Sequence, residues 1–179
     1  MPSQYTFTDY SPDWPEAFRR EEGLLRALLG DVIVTVHHIG STSVPGLAAK
    51  PIIDLLPVVR DIRQVDAATS ALTKTGYRSW GEYGLAGRRF FTKDHQGHRT
   101  HNIHMYQTGN PSIERHLAFC ALLREDLELQ REYVRIKREA YARFPSDINA
   151  YNDAKDAWIK QVEEKAIQWY RQQLTARHN

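Results

Sequence analysis

Cysteine is almost missing from this sequence. The single thiol, Cys120, cannot close an intramolecular disulfide, and a zinc site built on several thiolates is excluded. It falls within an apolar helical pattern and reads as a small core residue. Long apolar runs are missing as well: no stretch approaches the roughly 18 residues that a membrane-crossing helix needs. The opening MPSQYTFTDYSPDW has no basic stretch followed by an apolar one, so no secretory signal is expected. Charge of one sign is not concentrated anywhere. Lys and Arg number 24 against 22 Asp and Glu, a formal net charge of +2, which neither requires nor excludes an anionic partner. With no internal repeat and no low-complexity tract, the expectation is one cytoplasmic domain over 1–179.

What is present has an α+β order. Ser11 to Gly30 predicts a first helix, with Ser11 as cap, Pro12 at the first position and Gly30 as stop. DVIVTVHHI (31–39) and PIIDLLPVV (51–59) predict strands, the second apolar enough to be buried on both faces. Residues 61–75 carry helical periodicity. RRFFTKD (88–94) and RTHNIHMYQ (99–107) flank DHQG as a hairpin. From Pro111 onward the pattern is helical, divided near Asp126 and near Pro145-Ser146-Asp147. The expected architecture is a mixed sheet of four or five strands over about 31–107. One helix precedes it and about three follow, over about 111–177.

The chemistry concentrates in HHIGSTSVPGLAAKPIIDLLPVV (37–59). A strand ending in Gly40-Ser41 lets backbone and hydroxyl donors approach phosphate closely, because glycine has no Cβ in the way. After a gap of twelve residues (42–53) comes Asp54, a carboxylate able to hold Mg²⁺ against the same phosphates. This spacing resembles that of DNA polymerase beta-type nucleotidyltransferases. There, two acids two residues apart on one strand face clamp a metal pair. Here Leu56 stands where the second acid belongs. The spacing alone is equally compatible with a glycine turn whose aspartate only bonds loop amides.

IGSTSVPGLAAKPIID (39–54) also resembles the core motif of the GrpB family, found too as a domain appended to some bacterial dephospho-CoA kinases. The likeness continues through GEYGLAGRRFF (81–91), THNIHMY (100–106), RHLAFCALLRED (115–126), ARFPSDINAY (142–151) and KDAWI (155–159), in family order. The resemblance implies a divergent nucleotidyltransferase fold. Because family members tend to lack the second acid, Leu56 implies an altered metal site. Asn102 departs from the family's His-His-hydrophobic-His, which reads His101-Asn102-Ile103-His104 here.

The remaining expectations follow from side-chain chemistry. Residues 102 and 104 share one strand face; the resemblance to the transferases, where a third acid on a neighbouring strand faces the acid pair, implies His104 for that place, as metal ligand or base, and a packed, hydrogen-bonded histidine is the plain alternative. Lys50 and Arg89 are candidate phosphate ligands, with Arg88, on the opposite face, read as a solvated edge. Tyr151 and Lys155 share a helix face, and Lys155 can close over an anion; pairing with Asp156 or Glu163 is the alternative. His38, Glu82 and His101 are further cleft candidates, and His95, His98 and His178 are expected in solvent. Arg131 to Arg143, with interspersed Glu, reads as a solvated amphipathic helix.

Two functions follow. In the first, Gly40, Ser41, Thr42, Ser43, Lys50, Arg89 and Lys155 bind the phosphates of an NTP. Asp54 and His104 then hold a divalent metal (Mg²⁺ or Mn²⁺, with Zn²⁺ as the alternative), and a nucleotidyl group passes to an acceptor. In the second, the chain is a non-catalytic module for a nucleotide or small phosphorylated ligand that has lost two-metal chemistry, as Leu56 suggests. Hydrolysis at a His–Asp metal site stays open as a third.

Overall fold

The computed structural model describes residues 5–177; residues 1–4, 178 and 179, and with them the expectation for His178, lie outside it. The order of elements is α1 (Trp14–Leu29), β1 (Ile33–Ile39), β2 (Ile53–Val59), α2 (Ile62–Lys74), β3 (Tyr77–Ser79), β4 (Arg88–His95), β5 (His98–Gln107), α3 (Pro111–Glu125), α4 (Leu127–Arg143) and α5 (Ile148–Ala176). Short 3-10 turns cover Gly30–Val32 and Ser41–Ser43.

Local chemistry sets most boundaries. Asp61, Asn110, Asp126 and Asp147 each accept a backbone N–H from the turn they cap. The β4–β5 hairpin turns through Gln96 and Gly97, both at positive φ. α1 begins later than expected. The Ser11 hydroxyl accepts from the Asp13 amide, so the chain is still turning there, and Pro15 rather than Pro12 enters the first turn.

The sheet runs β1-β2-β5-β4-β3. β2 and β5 are parallel; the other neighbours are antiparallel. Tyr77–Ser79 supplies the fifth strand, too short to register as a periodic run. The register sets Ile39 opposite Asp54, Asp54 opposite Asn102, and His104 opposite Phe90. Side chains directly across a ladder share a face, so Asp54, Asn102, His104 and Phe90 lie on one side of the sheet.

That side is covered by α3, α4 and α5 and holds Ile39, Leu56, Tyr106, Leu122 and Tyr133 in its core. The other side is covered by α1 and α2. Its core includes Leu25, Leu55, Val65, Phe91, Ile103 and Met105. Trp158 stacks on Tyr133 at 4.7 Å, and Trp169 and Tyr170 pack against the same cluster, as their helical spacing suggests. Among the described residues no helix is long and apolar enough to cross a membrane.

Candidate functional site

The end of β1 and the start of β2 create the site. Gly40 adopts φ +70, and a Cβ there would stand 2.5 Å from the Asp54 Oδ2 atom. Glycine is therefore required twice, by its backbone conformation and by the carboxylate beside it. The turn after it is locked. Thr42 Oγ1 donates to the Ile52 carbonyl and contacts His38 Nε2 at 2.9 Å, and Ser43 Oγ donates to the Gly40 carbonyl at 2.7 Å. Arg124 of α3 donates to the Ser43 carbonyl and hydroxyl.

A cavity of about 210 Å³ opens beside this turn, lined by Gly40, Ser41, Thr42, Lys50, Asp54 and Asn102 from the sheet side. Tyr133 and Lys137 from α4 and Tyr151 and Lys155 from α5 close its opposite wall. Asp54 is the one carboxylate on this lining. Asn102 Nδ2 donates to Asp54 Oδ1 at 2.9 Å, and His104 Nε2 lies 3.4 Å from the same oxygen. Arg88 Nη1 lies 3.5 Å from His104 Nδ1. Arginine only donates, so the proton of a neutral His104 sits on Nε2, toward Asp54. Burial would raise the Asp54 pKa, but these contacts and the charge of Lys50 outweigh it and hold the carboxyl below its ordinary value.

Three lysines dominate the electrostatics. Lys137 is 2% exposed, with Nζ donating to Ser41 Oγ at 3.1 Å and to the Ala48 carbonyl. Lys155 is 8% exposed. Their amines lie over aromatic rings: Lys137 4.4 Å from the Tyr133 centroid, Lys155 4.1 Å from that of Tyr151, and Lys50 4.7 Å from the latter. Burial lowers their pKa values to about 6 for Lys137, about 7 for Lys155 and about 8 for Lys50; repulsion from the other lysines adds to it at Lys137 and Lys155 and from Arg99 at Lys50, and Asp54 partly offsets it at Lys50 and Lys155.

Of the residues singled out from sequence, Gly40, Ser41, Thr42, Lys50, Asp54, Tyr151 and Lys155 line this cavity, and His104 adjoins it through Asp54. The paired alternative for Lys155 falls away: Asp156 pairs with Lys160 and Glu163 with Arg115. Other positions need correction. Arg89 points to the α1–α2 side, where it forms a two-pronged pair with Asp66 of α2; strand alternation sends Arg88 instead to the cavity side, where it is buried. Glu82 accepts the Gly87 amide in its own loop. His38 and His101 also fall on the α1–α2 side: His38 stacks on Phe18 at 4.8 Å, and His101 Nδ1 contacts Thr100 Oγ1. Ser43 braces the turn without lining the cavity.

Lys137 was missed because its neighbours are charged. Its position was nevertheless readable: Leu129, Tyr133, Lys137 and Ala140 recur at helical spacing and form the buried stripe of α4. Asn102, a departure from the family pattern, turns out to hold Asp54.

The donor set does not fit a divalent-metal pair. Among the described residues no three His, Cys, Asp or Glu side chains come together to hold an ion. Leu56 is fully buried in the α3–α5 core, and both polar contacts to Asp54 converge on one oxygen. Positive charge here is supplied by lysines.

The family described as GrpB protein matches residues 4–165. The chain belongs to the GrpB family. It is 46% identical over 160 residues to the UPF0157 protein YqkA of Bacillus subtilis, covering 89% of this chain but 46% of that one, so the chain spans about half the length of that relative. It is 28% identical to a dephospho-CoA kinase of Mycolicibacterium paratuberculosis, over 88% of this chain and 45% of the kinase. The crystal structure of the conserved protein GrpB from Enterococcus faecalis superposes with a TM-score of 0.89 at 42% identity, covering 92% and 99% of the two chains. The GrpB fold is nucleotidyltransferase-like. The Cid1 poly(U) polymerase bound to MgGTP gives a TM-score of 0.52 at 15% identity, over 76% of this chain and 44% of Cid1.

Proposed function

We propose that this GrpB-family chain binds the phosphate groups of a nucleotide, or of a similar phosphorylated small molecule, in the cavity between the Gly40–Ser41 turn and the α4–α5 wall. The observation that carries this reading is the convergence of Lys50, Lys137 and Lys155 with the Ser41 hydroxyl on one cavity holding a single carboxylate. Ammonium groups and hydroxyl donors are the chemistry that phosphate oxygens need. The fold adds a supporting analogy, because Cid1 was crystallised with MgGTP. Isothermal titration of ATP, CTP, GTP and UTP, each with Mg²⁺ and with EDTA, tests it. Saturable binding of at least one nucleotide, weakened by Lys155→Met, is expected; no binding under either condition rejects the reading.

Nucleotidyl transfer is the second reading, favoured by the position of Asp54 against Gly40. Release of pyrophosphate from an NTP, lost in Asp54→Asn, would support it.

A further inference from the structure

Phosphate-binding pockets of nucleotidyltransferase-like folds need countercharge, and this one carries it on amines from three separate elements. Lys50 comes from the segment before β2, Lys137 from α4 and Lys155 from α5. We propose that these three lysines replace divalent metal as the countercharge of the pocket, so that a phosphate dianion or a polyphosphate tail binds there without a metal ion. This rests on the phosphate-binding reading above and specifies how that site holds its ligand.

The geometry is that of a built site. Each amine is positioned over an aromatic ring, and two of the three side chains are buried. An ammonium has three protons to donate. Lys137 donates to Ser41 Oγ and the Ala48 carbonyl, and once protonated it has a third N–H for a ligand. Ser41 Oγ accepts from Lys137 and also hydrogen-bonds the Tyr133 side chain, which fixes the amine beside the cavity. The site then presents Lys137, Lys50 and Lys155 as a set of donors.

The three amines cannot all stay charged without a ligand. Besides the three lysines, the ionisable groups acting on them are Asp54 from β2, Arg99 from β5, and the tyrosines Tyr5, Tyr133 and Tyr151. Burial raises the pKa of Tyr133 and Tyr151, so they are neutral and cannot offset the amines. One carboxylate therefore faces three amines, which repel one another and lose protons readily in the empty cavity. A bound dianion supplies the missing negative charge and favours their protonation, so binding takes up protons. A metal ion would instead compete with three ammonium groups for Asp54.

The role of Asp54 distinguishes the two arrangements. If a metal carried the phosphate, Asp54→Asn would abolish binding. With lysines as countercharge, Asp54 repels the ligand but also favours protonation of Lys50 and Lys155; the two effects oppose each other, and Asp54→Asn retains binding. The experiment is calorimetric titration of the full chain with inorganic pyrophosphate and with ATP, in EDTA and in Mg²⁺, using buffers of different ionisation enthalpy. Expected results are binding in EDTA within about threefold of that in Mg²⁺, and buffer-dependent heats that report proton uptake. Affinity should be about tenfold or more weaker near pH 9 than near pH 7. Lys137→Met and Lys155→Met should each lose about tenfold or more, with circular dichroism and melting curves confirming that at least one of them is folded; Asp54→Asn should not. Binding that requires Mg²⁺, or that disappears in Asp54→Asn, overturns the metal-free site and leaves the nucleotide-binding reading standing. Absence of binding by either probe under both conditions overturns both.

Discussion

The two sides of the one sheet are built on opposite principles. On the α1–α2 side Leu55, Phe91, Ile103 and Met105 interlock with helix side chains, and charge occurs as closed pairs: Arg89 meets Asp66 at the rim, and buried Glu21 of α1 accepts from Tyr77 and Lys93. On the α3–α5 side, charged and polar groups reach the interior: Asp54, His104, Arg88, Lys137 and Lys155 sit among the apolar residues. Asp54 and Leu55 are consecutive, yet alternation assigns one to the cavity and the other to a dry core. One face serves stability, and the other gives up part of its packing to keep a charged cavity open.

Breaking the dry side should have the largest effect on stability. Leu55→Ala is expected to cost about 2–5 kcal/mol, measured by urea unfolding, whereas Asp54→Asn should cost only about 1–2 kcal/mol through weaker hydrogen bonds from Asn102 and His104. Equal losses at the two positions would erase the distinction between the faces.

The charged side should reveal itself through pH. Lys137 titrates near 6 and Lys155 near 7 in the folded protein, against about 10.4 for an unfolded lysine. Between those values the unfolded chain binds more protons, so this contribution to stability is lowest below pH 6 and recovers as pH rises toward 10. A gain of about 2 kcal/mol from each of these lysines between about pH 7 and pH 9 is expected, and it should shrink by about half in Lys137→Met. A fall over that range, or an unchanged slope in the variant, would mean that these amines are not buried.

Gly40→Ala probes the boundary between the two sides. The positive φ and the clash with Asp54 Oδ2 should together cost about 1–3 kcal/mol, visible as a lowered Tm. A silent substitution would show that the turn does not press on the carboxylate. The smallest effect belongs to the rim: Arg89→Ala removes a partly exposed ion pair and should cost less than about 1 kcal/mol. Ligand affinity should be unchanged by it; a loss of affinity would return Arg89 to the site.

Much of this was legible in the chain. Apolar periodicity and capping residues located the elements. The distance from Gly40-Ser41 to Asp54 located the turn and its carboxylate, and the Tyr151–Lys155 spacing fixed a shared helix face. Other features were hidden for specific reasons. Arg88 and Arg89 are chemically identical neighbours, and only the β4–β5 register tells which one faces His104. Glu82, His38 and His101 have reactive side chains, but their partners lie in a loop or on the dry side. Lys137 looked solvated because Arg135, Arg138 and Glu139 surround it in sequence, although its place in the stripe with Tyr133 and Ala140 marked it as buried.

The sequence by itself determined the element order, the close turn at Gly40 and the single acid at Asp54, because these depend on local conformation and short spacing. Only the tertiary structure decided that three lysines, from positions 50, 137 and 155, meet around that acid. Their convergence depends on how α4 and α5 pack over the sheet. Such long-range packing brings together charges that are far apart along the chain, and no local pattern records their final distance.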